Sequence, residues 1–173
     1  MAKPLDIHGL MTYAAQALSA RALTVSELRD KLKRRAAEPS HVDEVLAKLK
    51  ESGYLNDKRF ADSYASWRKD DGGFGKTRVT RDLMARRVAP SIAIQAAEAA
   101  FEGADEVAMI EKFLERKYRG KDLGAMLKEP KHLASAYRKL RTSGFSTGNS
   151  VRILKRYAAE AEFLEETESD PES

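Results

Sequence analysis

One helical pattern occurs twice in this chain, at a constant spacing of 51 residues. Tyr13 recurs as Tyr64, Leu28 as Val79, Leu32 as Leu83, Arg35 as Arg86, and the pair Pro39-Ser40 as Pro90-Ser91. Shifting the register by one residue also aligns Arg29-Asp30 with Arg81-Asp82 and Arg34-Arg35 with Arg86-Arg87. A repeat of this length constrains the architecture strongly. Each copy is one small unit of secondary structure that must bury its apolar face against a neighbour.

Within each copy the apolar spacing is that of a helix. Leu10, Ala14, Ala17 and Leu18 predict a helix near 10–22. Thr24-Val-Ser-Glu27 has the form of a capping box and opens a second, with Leu28 and Leu32 inside. Pro39-Ser40 opens a third, carrying Val42, Val45, Leu46 and Leu49, which Gly53 stops. In the second copy Asn56 caps a helix whose Phe60, Tyr64 and Trp67 share one face and are expected in the core. A helix with Val79 and Leu83 follows, then one through Ile94, Ala97 and Phe101. Helices of three to four turns do not persist alone, so each set of three must pack together.

A third copy is less regular. Val107, Ile110, Leu114 and Tyr118 form one face, Leu133, Tyr137 and Leu140 another, and Val151, Leu154 and Ala158 a third. The segment 120–130 has the look of an insertion. The expected fold is all-α: tandem three-helix repeats stacked into an elongated, curved array of either hand. The expected divisions are a flexible N-terminus over 1–8, repeats over 9–53, 54–103 and 104–159, and an acidic tail over 160–173.

Charge points to a partner. The formal net charge of +4 hides seven acids and no base in residues 160–173; without them 31 bases face 20 acids. A basic body suits an anionic partner such as a nucleic acid or nucleoprotein. The cations recur at matching places: Arg34 and Arg35 in the first repeat, Arg78, Arg81, Arg86 and Arg87 in the second, and Arg152, Lys155 and Arg156 in the third. Regular stacking would align them in a stripe, and these nine residues are the candidate contact site. Phe60, Tyr64 and Trp67 could alternatively stack on bases.

Catalytic chemistry finds no constellation. Gly75-Lys76-Thr77 ends like a phosphate-binding loop, but Asp70 stands where the first glycine belongs, and an amphipathic helix precedes it instead of a strand. His8, His41 and His132 lack metal-ligand spacing, and there is no cysteine. No enzyme activity, cofactor, metal or small-molecule substrate is expected. With no cysteine, no signal-peptide pattern and no apolar run near 20 residues, a soluble cytoplasmic protein is expected.

The run Gly53-Tyr54-Leu55-Asn56-Asp57-Lys58-Arg59-Phe60-Ala61, followed by Arg68 and a glycine-containing basic turn, resembles the hallmark of the RecX family. Ser26-Glu27-Leu28-Arg29-Asp30-Lys31-Leu32 also resembles that family's first-unit helix. The resemblance spans roughly 10–160 and is strongest in the first two repeats. It implies a regulator that binds the RecA filament on single-stranded DNA and inhibits its recombinase, ATPase and coprotease activities in DNA repair and the SOS response; a monomer is expected. The alternative is a helical protein that binds DNA directly, without RecA.

Overall fold

The structure is a computed structural model that describes residues 3–158 together with Ala161 and Leu164. The acidic tail otherwise lies outside the described residues. Among those described there are ten α-helices: α1 Ile7–Ala20, α2 Val25–Lys33, α3 Pro39–Glu51, α4 Asp57–Asp70, α5 Lys76–Ala85, α6 Pro90–Phe101, α7 Glu106–Lys117, α8 Leu123–Met126, α9 Pro130–Thr142 and α10 Thr147–Leu154. No strand forms among them; Leu5 and Ala36 make an isolated parallel bridge. The all-α, tandem three-helix expectation is therefore met. The helices group into two compact units, one of residues up to Ser66 with Thr80–Ala99, the other of Trp67–Val79 with the residues from Ala100 onward.

In the first unit α1, α2 and α3 pack on one another. Leu10, Ala14, Leu28, Leu32, Val42, Val45, Leu46 and Leu49 form their core, as their spacing predicts. The capping box is present: Thr24 Oγ1 accepts from Glu27 N at 3.1 Å, and Glu27 accepts from Thr24 N at 3.3 Å. The N-terminus differs from expectation. Asp6 caps α1 by accepting from Gly9 N at 2.8 Å, so the helix starts at Ile7. Leu5 N donates to Arg35 O at 2.7 Å and Ala37 N to Leu5 O at 2.9 Å. Residues 5–8 thus belong to the fold, because these backbone bonds hold Leu5 before the helix begins.

One expected core residue lies outside, and a second large apolar residue is also exposed. Trp67 is 51% exposed, because the buried side of α4 centres on Phe60, Ala61 and Ala65. At about 100° per residue Trp67 falls at the edge of that face. Ile94 is 42% exposed, because α6 buries Ala93, Ala96 and Ala97 instead. In both helices alanines, which admit close packing, form much of the contact face. In α4 the larger apolar side chains misdirected the reading.

In the second unit α10 packs on α7 and α9. Its core holds Ile110, Leu114, Leu140, Phe145, Ile153 and Leu154, with the Phe113 and Phe145 rings edge to face at 5.6 Å. The segment 120–130 is more than an insertion. Asp122 caps the short α8 by accepting from Ala125 N at 3.1 Å, and the following Leu127 is fully buried in this core.

Glu106, at the start of α7, holds the N-terminus of α10. It accepts from Ser146 N at 2.8 Å, from Ser146 Oγ at 2.5 Å and from Asn149 Nδ2 at 2.5 Å. Burial pushes its carboxyl up, but bonds from the Ser146 hydroxyl, the Asn149 amide and the Ser146 backbone outweigh it, and the net shift is downward. A carboxylate with a lowered folded pKa adds stability above its unfolded pKa, and that stability is lost as pH falls through the folded value. Glu106→Gln is therefore expected to lower the urea midpoint at pH 7 and to flatten its fall below about pH 4.5. Equal midpoints for the two proteins at pH 7 would refute this role.

Candidate partner-binding surface

The arginines that end α5 are held from two directions. Arg86 stacks over the Phe60 and Tyr64 rings, 5.4 and 5.2 Å from their centroids, and lies 3.8 Å from the Glu27 carboxylate. The Phe60 and Tyr64 rings are themselves stacked 6.0 Å apart. Arg87 pairs with Asp30 on α2. The Arg87 hydrogen bond is the largest influence on Asp30; with the charges of Arg87, Arg34 and Lys33 it outweighs desolvation and holds the carboxyl below its usual range. The backbone joins in: Thr24 Oγ1 donates to Arg86 O at 3.1 Å, and Val25 N donates to Asp57 Oδ1 at 2.8 Å. These contacts fasten the start of α2 to the end of α5 and the start of α4.

Arg87 carries a further signature. Its φ of 60° makes it the one non-glycine residue with positive φ among those described. Val88 N bonds Leu83 O across it at 3.2 Å, and Phe145 N bonds Leu140 O in the same way across Gly144. Glycine is the usual residue at such a helix end. An arginine here gives up backbone ease for a side chain that reaches Asp30.

The other first-unit candidates divide similarly. Arg35 is half-buried, its guanidinium 5.2 Å from the Tyr13 centroid. Arg34 and Arg81 are exposed, and Arg34 Nε donates to Asp30 O at 3.1 Å. In the second unit Arg78 is half-buried, stacked 4.2 Å over Phe74 and donating to Thr142 O at 3.4 Å. Arg152, Lys155 and Arg156 are exposed on and after α10, and Arg156 pairs with Glu111 of α7. Arg35, Arg78 and Arg86 thus serve structural contacts that a sequence count of cations does not distinguish from open surface.

The glycine-rich turn is not a phosphate cradle. Gly75 N donates to Ser143 O at 2.8 Å, and a Cβ on Gly75 would lie 2.2 Å from Gly144 O. A Cβ on Gly144, whose φ is +91°, would lie 2.3 Å from Arg78 N. Two backbones meet here with no room for a side chain. Arg116 closes the turn from α7 by donating to Gly72 O at 3.1 Å. Sequence reasoning missed what the turn displays: Trp67 and Phe74 flank the Arg68 guanidinium, with ring centroids at 5.0 and 4.8 Å. No group of three or more potential metal ligands occurs among the described residues.

This arrangement defines a class: an all-helical protein of tandem three-helix modules with cation-rich surfaces. Residues 11–49 match the model of RecX, first three-helix domain, and residues 56–96 that of RecX, second three-helix domain. The chain belongs to the RecX family. Regulatory protein RecX of Deinococcus radiodurans is 44% identical over 77 residues, covering 44% of this chain and 36% of that one. Regulatory protein RecX of Bacillus subtilis is 32% identical over 129 residues, covering 75% of this chain and 47% of that one. The matched part spans about a third to a half of the length of these relatives. The crystal structure of RecX from Lactobacillus salivarius superposes with a TM-score of 0.64 at 22% identity, covering 88% of this chain and 97% of that one, an agreement of fold. No described helix is long and apolar enough to cross a membrane.

Proposed function

We propose that this chain is a non-enzymatic, monomeric, cytoplasmic regulator that binds the RecA filament on single-stranded DNA and restrains its ATPase, recombinase and coprotease activities. The observation that carries this reading is the pair of adjoining matches to the three-helix domains of a family whose curated members are named regulatory proteins. The physical character of the chain supports it. A cation-rich helical body suits a polyanionic nucleoprotein.

Among the exposed members of the basic set, the proposed contacts are Arg34 and Arg81 on the first unit and Arg152, Lys155 and Arg156 on the second. Arg86 and Arg87 enter as residues that shape the surface. Titrating the purified chain into RecA filaments on single-stranded DNA is expected to reduce ATP hydrolysis in a saturable manner. Hydrolysis unchanged at a several-fold excess of the chain over RecA would refute the proposal.

A further inference from the structure

We propose that Trp67, Arg68, Phe74 and Arg78 form a stacking site for single-stranded nucleic acid. All four belong to the second unit, on the last turn of α4, the glycine turn and the first turn of α5. Their planar groups alternate in kind. The Arg68 guanidinium lies 5.0 Å from the Trp67 ring and 4.8 Å from the Phe74 ring, and Arg78 covers Phe74 at 4.2 Å. Trp67 is 51% exposed, an uncommon disposition for the largest apolar side chain.

Single-stranded nucleic acid alternates π-faced bases with anionic phosphates. Proteins that bind it combine aromatic platforms with arginines that both stack and pair with phosphate. Trp67 supplies the platform, while Arg68 supplies charge beside it and Arg78 beside the Phe74 ring. The scaffold is set in advance. Gly72 has no room for a Cβ, which would lie 2.7 Å from Arg68 O, and Gly73 takes a φ of +61°. Gly75 is bonded to Ser143, and Arg116 holds the carbonyl of Gly72. A ladder held by its own backbone loses little entropy on binding. Of the acids that follow in the chain, Asp70 lies 3.5 Å from Lys69 Nζ, and Asp71 is exposed at the margin of the turn. That acidic margin favours a contact of one or two nucleotides over a long track.

The assignment rests on the nucleoprotein reading above, and its test is separate. Trp67 is the only tryptophan in the chain, so its emission reports on this site alone. Titration of oligothymidylate into the full chain at low salt is expected to quench that emission saturably. Trp67→Phe should keep most of the affinity, measured by anisotropy of a labelled strand. Trp67→Ala should lose about 5- to 150-fold, the range that stacking on one aromatic side chain supplies. The thermal midpoint of Trp67→Ala should move little, since the residue is half exposed.

A strand that binds with unchanged emission and equal affinity for Trp67→Ala would overturn the site. So would an absence of binding at low salt, or equal quenching by polyglutamate, which would show a surface for anions without base stacking. The same variants in the filament ATPase assay separate the two proposals. Intact inhibition by a Trp67→Ala chain that keeps its strand affinity overturns the site alone. Strand affinity that falls in Trp67→Ala, with hydrolysis untouched by the wild-type chain, supports the site and overturns the filament reading.

Discussion

A chain carrying Arg86→Glu and Arg87→Glu is expected to unfold about 2–3 kcal/mol more readily than wild type, because the fold itself uses these arginines. Arg86 covers Phe60 and Tyr64, and cation–aromatic contacts contribute about 0.5–2 kcal/mol according to their exposure. The partly exposed Arg86–Glu27 pair adds about 0–1 kcal/mol, and the Arg87–Asp30 pair is lost with it. Reversal then sets new carboxylates beside Glu27 and Asp30, turning attraction into repulsion. Urea denaturation would measure the loss. Combining Arg87→Glu with Asp30→Arg should recover part of it, and no recovery would refute the pairing.

Arg87→Gly separates backbone from side chain. It removes the ion pair and relieves a positive φ, so its net change should stay within about 1 kcal/mol. A large loss would show that the ion pair outweighs the backbone strain. Any binding assay on the double reversal must be interpreted with its folding measured alongside.

Gly75→Val is expected to destabilise the second unit by about 3 kcal/mol or more, the upper end of overpacking effects. Even the first carbon of a side chain would stand 2.2 Å from Gly144 O and 2.7 Å from Phe145 N. Those atoms are backbone and cannot rotate aside. The bond from Gly75 N to Ser143 O would be lost as the segments part. Gly148→Ala is the control. Nothing lies within 4 Å of a Cβ there, and the residue sits inside α10, so alanine should be neutral or should add up to about 1 kcal/mol. Equal melting of Gly75→Val and wild type would show that the two backbones do not meet as described.

What was legible in the sequence follows from the kind of physics each feature uses. Helix starts at Thr24, Pro39 and Pro90 are set by residues close in the chain, and all were readable. The first-repeat core was readable because leucine and valine at helical spacing have one place to go. Trp67 was misassigned because small alanines form much of the contact face of α4, and alanine carries little signal. Among the candidate arginines, residue type and spacing identified the set but could not rank it. Whether Arg86 meets solvent or Phe60 depends on partners 59 and 26 residues away in the cases of Glu27 and Phe60. The ladder of Trp67, Arg68, Phe74 and Arg78 depends on a turn whose path is set by Ser143 and Arg116. Local periodicity carries no information about either.

The buried hydroxyl of Thr24 has a bearing on how such a chain can be cut. It closes α2 on one side and bonds the carbonyl of Arg86 on the other, while the neighbouring Val25 N–H is satisfied by Asp57. A fragment ending at Gly53 would keep every helix of the first repeat and strip both of these polar groups of partners supplied from beyond the cut. The 51-residue period marks where the pattern begins again. It does not mark a seam along which the first copy can be lifted out.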